Sequence, residues 1–242
     1  MLPLIIRQLG LTINHTCLLR DINLELNQSG ISIIMGHNGA GKSLLLRCMH
    51  GLLKPTDGFV SWSGEDAVSI KSRKKQAMVF QKPLMLNRSV GANINYILKL
   101  RGKPTHLCQE YLESAGLKDK TKQPAKSLSG GEQQRLAIAR ALATEPDVFF
   151  LDEPTANLDP NATLKIESQI RAAANQAIKV IMVTHDIAQA RRLADEIIFL
   201  HTGSLAEHTD AKVFFDKPQS IEARNYLSSY LGSAGSFQKT NE

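Results

Sequence analysis

The stretch ISIIMGHNGAGKSLLLRCMH, residues 31–50, determines how the centre of this chain folds. A short apolar run, ISIIM, precedes a glycine-rich loop, and an apolar helical pattern follows it. The loop GHNGAGKS matches the pattern GxxxxGK(S/T) between a buried strand and a helix, which is the setting that gives this pattern its meaning. Backbone N–H groups of such a loop turn inward, close to the positive end of the helix dipole. The sequence therefore predicts a phosphate-binding loop.

Every residue of this loop is a candidate nucleotide ligand: Gly36, His37, Asn38, Gly39, Ala40, Gly41, Lys42 and Ser43. We expect Lys42 to reach the β and γ phosphates of ATP as a point charge, and the Ser43 hydroxyl to ligate Mg²⁺. The alternative is a glycine-rich turn with a chance lysine, and the flanking strand and helix argue against it.

Polar residues at the ends of three further apolar runs supply the rest of the predicted site. Asp152 and Glu153 end VFFLDEP, His185 ends KVIMVTH, and Gln81 follows AMVF. Parallel strands bind ligands at their carboxyl ends, so we expect these side chains to meet. Asp152 would hold Mg²⁺ through water, Glu153 would accept a proton from the attacking water or orient it, His185 would contact the γ-phosphate, and Gln81 would ligate Mg²⁺ or orient water. Taken alone, each is as well interpreted as an acidic corner, a structural histidine or a surface glutamine.

The stretch LSGGEQQR, residues 128–135, predicts a second anion site. Ser129 and Glu132 have capping-box spacing, and Gly130 and Gly131 expose the amides of the helix start. One phosphate loop already satisfies one triphosphate. We therefore expect this helix start to serve the nucleotide of another copy, in a dimer around ATP.

The remaining chain predicts an α/β fold. Apolar β-branched runs alternate with helical patterns, as parallel strands with crossover helices do. The stretches LTINHTCLLRDINLEL and GFVSWSG predict an antiparallel β flank with one exposed face. Between residues 83 and 142 helical periodicity takes over, which predicts a helical insertion.

Composition excludes several classes of protein. The chain has 242 residues, 43% hydrophobic and 21% charged, with no apolar run near eighteen residues, so we expect no membrane-spanning helix. Cys17, Cys48 and Cys108 form no CxxC pattern, which argues against a zinc site or a disulfide framework. The net charge of +6 is modest, and the run KSRKK, residues 71–75, is typical of a solvated face.

With these motifs together, the chain resembles the ATP-binding cassette (ABC) family over nearly its whole length. The phosphate loop, Gln81, the signature LSGGE, the acidic strand VFFLDEP, the NLD loop of residues 157–159 and His185 stand in the family order. The resemblance implies a P-loop NTPase core with a parallel sheet, an antiparallel β flank and a helical subdomain at about residues 83–142. The expected domain covers residues 1–232, and we expect residues 233–242 to form a disordered tail.

The resemblance also implies how the chain works with ATP and Mg²⁺. Two copies would form a homodimer head to tail around two ATP molecules, so that the signature holds the partner's γ-phosphate. The residues expected to act in trans are Leu128, Ser129, Gly130, Gly131 and Glu132. Glu153 would be the catalytic carboxylate, His185 would hold the γ-phosphate and the water, and Asp159 would relay contact across the dimer. The family usually stacks an aromatic residue on adenine, where this sequence offers only Ile13 or His15.

Among ABC proteins the chain is similar to the detached ATPase subunits of bacterial importers. Such a subunit would lie peripherally at the cytoplasmic face of the inner (plasma) membrane, on transmembrane permease subunits that a solute-binding protein serves. Residues 77–102 and 214–232 look most like tungstate or molybdate-type oxyanion importers. Phosphate or amino-acid import is an alternative. Three other interpretations fit less well. The modest net charge argues against a cassette associated with ribosomes or nucleic acid. A hydrolytically inactive regulator would lack Glu153 or His185, and a phosphotransferase would leave the signature unexplained.

Overall fold

The computed structural model describes residues 1–235, and ten strands in this part of the chain form two sheets. The strands are β1 Leu4–Ile13, β2 Thr16–Leu26, β3 Ile31–Met35, β4 Asp57–Trp62, β5 Glu65–Asp66, β6 Gln76–Val79, β7 Val148–Asp152, β8 Lys179–Val183, β9 Glu196–His201 and β10 Ser204–Asp210. The helices are α1 Lys42–His50, α2 Ile70–Lys74, α3 Val90–Leu100, α4 Cys108–Ser114, α5 Gly130–Leu142, α6 Pro160–Asn175, α7 Ile187–Leu193, α8 Ala211–Asp216 and α9 Ile221–Gly235.

The larger sheet has six strands in the order β10-β9-β3-β8-β7-β6. Strands β9, β3, β8, β7 and β6 run parallel to one another, and β10 is antiparallel to β9. Every residue of β3, β7 and β8 is buried, which is why these runs are mostly apolar instead of alternating. The predicted parallel α/β core is confirmed.

Successive residues of the central strands serve two separate cores. On β7, Phe149 and Leu151 pack with the helices of the insertion, whereas Val148 and Phe150 pack with α1 and the antiparallel sheet. This two-sided burial fixes the register of β7, because a shift by one residue would exchange the two faces. The carboxyl end of the strand, where Asp152 lies, is thereby fixed in position.

The smaller sheet is the predicted antiparallel flank, in the order β2-β1-β4-β5. A two-residue turn joins β1 to β2, with Asn14 at φ 49° and His15 at φ 62°. Positive φ at both positions is typical of the type I′ turn, which matches the twist of a hairpin. Trp62 ties this sheet to α1, because its buried Nε1 donates to the Met49 carbonyl over 2.7 Å.

Helices α3, α4 and α5 form the helical insertion and lie within residues 83–142, together with short 3₁₀ turns at Thr105–Leu107, Lys118–Lys120 and Ala125–Ser127. That this insertion is a separate subdomain of a domain spanning residues 1–232 stays a prediction. The sequence predicts a disordered tail from residue 233, but α9 continues to Gly235. Residues 236–242 lie outside the described residues. Within residues 1–235, no helix is both long and apolar enough to cross a membrane.

Candidate functional site

The phosphate loop connects β3 to α1 and is held in shape by the strands around it. Gly36 has φ 145°, and a Cβ there would lie 2.2 Å from the carbonyl oxygen of Leu200 on β9. A side chain at this position would therefore push the loop off the sheet. The glycine at the start of the loop is required by the approach of the neighbouring strand, independently of any ligand.

Lys42 lies inside the curl of the loop. Its Nζ donates to the carbonyl of Gly36 over 2.8 Å and to that of His37 over 2.9 Å, and the residue is only 6% exposed. Burial lowers the pKa of Lys42, and the negative charges of Glu153 and Asp152 oppose that shift. The ammonium group is thus positioned among the loop residues that are predicted to meet phosphate.

Ser43 and Asp152 bring two oxygen atoms together beside the loop. Ser43 Oγ donates to Asp152 Oδ1 over 2.7 Å, and the carboxylate is buried at the end of β7. Hydroxyl and carboxylate oxygens suit Mg²⁺, which takes few ligands from protein and several from phosphate and water. Among the described residues no group of three or more His, Cys, Asp or Glu side chains could hold a metal. By their chemistry, the oxygen atoms of Ser43 and Asp152 fit Mg²⁺ bound jointly with a nucleotide.

Arg47 is a residue of this site that the sequence reasoning missed. It lies one turn after Ser43 on α1, and its guanidinium is 3.6 Å from Asp152 Oδ2, on the other oxygen of the same carboxylate. The signal was present in the sequence, because positions four apart on a helix share a face. The arginine helps to fix the carboxylate that Ser43 contacts.

Gln81, Glu153 and His185 are brought together, although the chain separates them widely. Gln81 Nε2 donates to Glu153 Oε2 over 3.3 Å, and His185 Nδ1 lies 3.4 Å from Glu153 Oε1. The reason is the sheet order, since β6, β7 and β8 are neighbours and each of the three residues follows one of these strands. A carboxylate between an amide and an imidazole can accept a proton from a water while both neighbours hold its orientation.

The backbone of Glu153 is unusual. Its φ of 47° lies in the left-handed region, which residues with a side chain rarely adopt, and its N–H donates to the Val183 carbonyl of β8 over 3.0 Å. Such conformations persist only where the surroundings enforce them. Here the bond to β8 turns the chain sharply after β7, so that the Glu153 carboxylate lies beside His185.

The signature residues form the start of α5. The predicted capping box is confirmed: the Ser129 hydroxyl accepts from the Glu132 N–H over 3.4 Å, and Glu132 Oε2 accepts from the Ser129 N–H over 3.0 Å. A hydrogen bond from Lys120 lowers the pKa of Glu132 to about 2. Leu128 is buried behind this turn, and its carbonyl accepts from Gln133 Nε2 over 2.9 Å.

The two signature glycines differ in their surroundings. A Cβ on Gly131 would lie 2.8 Å from the Ala162 Cβ of α6, whereas a Cβ on Gly130 would meet only Leu158 Cδ2, at 3.7 Å. Gly131 is therefore needed for the close packing of α5 on α6. At Gly130 the described residues leave room for a methyl group, so the packing within this chain does not explain that glycine.

Asp159 lies next to the signature of its own chain. It caps α6, with Oδ1 accepting from the Ala162 N–H over 2.8 Å, and Leu158 before it faces both signature glycines. Among residues 1–235 no hydrogen bond joins residues 128–132 to the phosphate loop. The site residues thus form two groups, one around the loop and Glu153 and one around the signature.

The aromatic residue that lies near the phosphate loop is not one of the residues that the sequence suggested for stacking on adenine. The His37 ring packs edge to face against Tyr226 of α9, with centroids 5.0 Å apart. Ile13 and His15, the sequence candidates for stacking on adenine, are exposed at the β1–β2 turn. Their role stays a prediction. No signal within the loop itself predicts the Tyr226 contact, because it joins residues far apart in the chain.

Known proteins share this sequence pattern. The family model described as "ABC transporter" matches residues 19–156. A "Phosphate import ATP-binding protein PstB" from Campylobacter jejuni is 40% identical over 228 residues, covering 88% of this chain and 92% of that protein. A "Probable anion import ATP-binding protein" from Haloferax volcanii is 34% identical over 248 residues, covering 93% of this chain and 86% of that protein.

The fold has a close counterpart among solved structures. The "Dimeric structure of a post-hydrolysis state of the ATP-binding cassette MJ0796 bound to ADP and Pi" superposes with a TM-score of 0.76 at 28% identity, covering 86% of this chain and 98% of that one.

Proposed function

We propose a function for this chain from one fact: it belongs to the ABC transporter family. It is the ATP-hydrolysing subunit of an ABC importer, and it couples the binding and hydrolysis of ATP to the uptake of a solute. The observation that supports this most directly is the contact of Gln81 and His185 with the two oxygens of Glu153, beside the phosphate loop. Hydrolysis needs a base for the attacking water at this place.

Each loop residue from Gly36 to Ser43 contributes to nucleotide binding in this proposal. Lys42 binds the β and γ phosphates, and Ser43 and Asp152 hold Mg²⁺, with Gln81 as a further oxygen donor. Glu153 accepts the proton of the attacking water, and His185 holds the γ-phosphate and that water. The short distances among these side chains support the assignment.

The signature acts in trans in this proposal. The Ser129 turn is already capped within the chain, and the free space beside Gly130 supports a ligand that comes from outside it. Two copies then enclose two ATP molecules, each between the loop of one copy and residues 128–132 of the other. Asp159, beside the signature, relays contact between the copies.

A permease docks beside β6, the edge strand of the larger sheet. A groove of about 460 Å³ lies there between β6, α3 and α5. Phe80 and Leu84 beside it are 43% and 75% exposed, so a permease helix docked in the groove would cover two large apolar side chains. The groove adjoins Gln81, so a docked permease helix would contact the loop that reaches Glu153. The chain then lies peripherally at the cytoplasmic face of the plasma membrane.

The solute is a tetrahedral oxyanion. The phosphate and anion importers among the relatives support this class, and the likeness of residues 77–102 and 214–232 favours tungstate or molybdate within it. The solute does not contact the nucleotide site. The assignment therefore depends on the proteins that assemble with this chain.

The test is purification of the tagged chain from its native membranes, identification of the proteins that accompany it, and reconstitution of the complex with its solute-binding protein. ATP turnover is then compared with tungstate, molybdate, phosphate and an amino acid. We expect a multi-span membrane protein and stimulation by an oxyanion. Stimulation by the amino acid alone would contradict the oxyanion proposal, and ribosomal proteins or nucleic acid as the only partners would contradict import.

A further inference from the structure

Helix α9 contacts the phosphate loop through Tyr226. This residue is only 1% exposed, and its ring packs edge to face against the His37 ring, with centroids 5.0 Å apart and an angle of 85° between the planes. The His201 ring, at the end of β9, lies against the same imidazole with centroids 6.4 Å apart. Aromatic rings in this arrangement attract one another beyond the burial of their apolar surface. Two rings therefore hold the His37 side chain, although the residue itself is exposed.

The backbone of His37 is part of the phosphate loop. Its carbonyl oxygen accepts from Lys42 Nζ over 2.9 Å and from the Ala40 N–H over 3.1 Å. Both donors belong to the loop residues assigned to ATP. The position of His37 therefore determines where this carbonyl lies, and the carbonyl in turn holds the ammonium group and the turn of the loop. The Tyr226 ring acts on that position from outside the loop.

Helix α9 is able to hold His37 because its own start is fixed. The carboxylate of Glu207, on β10, is 6% exposed and accepts from the Gln219 N–H over 3.0 Å, from the Ser220 N–H over 2.8 Å and from the Ser220 hydroxyl over 2.9 Å. Ser220 Oγ in turn accepts from the Ala223 N–H over 3.1 Å, which caps the helix. Hydrogen bonds to a carboxylate are stronger than those between neutral groups. Tyr226 thus projects from a helix that is anchored to the sheet.

His185 is held less tightly by this helix than His37 is. Its side chain is 53% exposed, and it lines a groove of about 580 Å³ together with Leu227 and Tyr230 of α9. The helix therefore acts on the phosphate loop more than on the residues around Glu153. This difference predicts an effect on the binding of ATP and little effect on the rate of its hydrolysis.

We propose that Tyr226 is a positioning residue for ATP binding, because through the His37 ring it keeps the phosphate loop in one shape before ATP arrives. A loop that is already held in one shape loses less conformational entropy when it binds a ligand, so loss of the contact weakens the affinity. The inference rests on the proposed function, since it requires that this loop binds ATP.

The experiment compares variants of the full chain. Tyr226→Leu removes the ring, and Tyr226→Phe keeps it. Phe214→Leu is the matched control, because Phe214 is also buried and packs against Phe199 at 5.5 Å, as Tyr226 does at 5.1 Å. Among residues 1–235 Phe214 makes no ring contact with His37. His37→Ala removes the same contact from its exposed end.

Titration with a non-hydrolysable ATP analogue and Mg²⁺ measures the affinity, phosphate release over a range of ATP concentrations gives KM and kcat, and thermal melting gives the stability. We expect the affinity of Tyr226→Leu and of His37→Ala to fall about 3- to 10-fold, with KM rising in proportion and kcat within about twofold of the wild type. Tyr226→Phe should bind as the wild type does, and Phe214→Leu should lose thermal stability without losing affinity.

The double variant isolates the contact between the two rings. In the His37→Ala background, Tyr226→Leu should weaken binding by less than about twofold further, because the ring it would hold is gone. The proposal is overturned if the two effects multiply, or if Phe214→Leu weakens binding as much as Tyr226→Leu, since core packing would then account for the loss. Should Tyr226→Leu fail to fold, an unchanged affinity of His37→Ala overturns it alone. In each of these cases the wild type still binds the analogue and the proposed function stands, whereas a wild type that does not bind the analogue would contradict both.

Discussion

Two glycine-containing helix starts in this chain, at α1 and at α5, satisfy their backbone groups in opposite ways. The first turn of α1 has Gly41 as its N-cap, at φ 94°, and no side-chain cap. The first turn of α5 has a complete capping box between Ser129 and Glu132. Uncapped amides at the start of a helix are the groups that bind anions. The α1 start is therefore built as an anion site within one chain, whereas the α5 start is already stable without a ligand.

The same contrast extends to the charged groups. Lys42, Glu153 and His185 lie around the phosphate loop, whereas at the signature Lys120 is paired with Glu132. One region has the charges and the proton acceptor that hydrolysis needs, and the other has a rigid turn with space beside Gly130. This difference is expected if the signature of a second copy completes the ATP site at the phosphate loop.

The largest expected effect is at Glu153. Glu153→Gln keeps the hydrogen bond to Gln81 possible but removes the proton acceptor. We expect ATP hydrolysis to fall about 10²- to 10⁴-fold, with ATP affinity nearly unchanged. Phosphate release and isothermal titration measure the two quantities. Hydrolysis at the wild-type rate would show that another group accepts the proton.

Lys42→Ala affects binding instead. Loss of a charged hydrogen-bonding group should weaken ATP binding by about 10- to 100-fold. Titration with ATP measures this, and Lys74→Ala, an exposed lysine on α2, is the control. An unchanged affinity for ATP would show that Lys42 does not bind the phosphates.

Substitutions at the two signature glycines distinguish a role in packing from a role in ligand binding. Gly131→Ala should lower the free energy of unfolding by about 1–3 kcal/mol, because its methyl group meets Ala162. Gly130→Ala should leave thermal stability unchanged and still reduce hydrolysis. Equal stability of both variants would contradict the packing, and full activity of Gly130→Ala would contradict a ligand at that glycine.

The smallest expected effect is on the stability of the fold at low pH. The pKa of Glu132 is lowered to about 2 in the folded chain, chiefly by the hydrogen bond from Lys120. A carboxyl with a depressed folded pKa stabilises the fold above its unfolded value, near 4.5, and this contribution is lost as the pH falls toward 2. Between these pH values the melting temperature of the wild type should fall further than that of Glu132→Gln. Parallel curves would contradict the assigned pKa.

The features that were predictable from the sequence are local ones. The phosphate loop and the capping box depend on residues within one turn of each other, and the meeting of Gln81, Glu153 and His185 follows from strand ends at one sheet edge. Contacts between distant segments were not predictable: Tyr226 against His37 and Ala162 against Gly131 depend on how whole helices pack. Arg47 could have been found from its spacing to Ser43.

The most direct measurement is the mass of Glu153→Gln in solution by light scattering, with saturating ATP and Mg²⁺. We expect the monomer of 26.6 kDa to become a dimer, because ATP that is not hydrolysed stays between the loop of one copy and the signature of the other. Ser129→Arg in the same variant should restore the monomer while ATP still binds. A Glu153→Gln chain that stays monomeric with bound ATP would contradict a site shared between two copies.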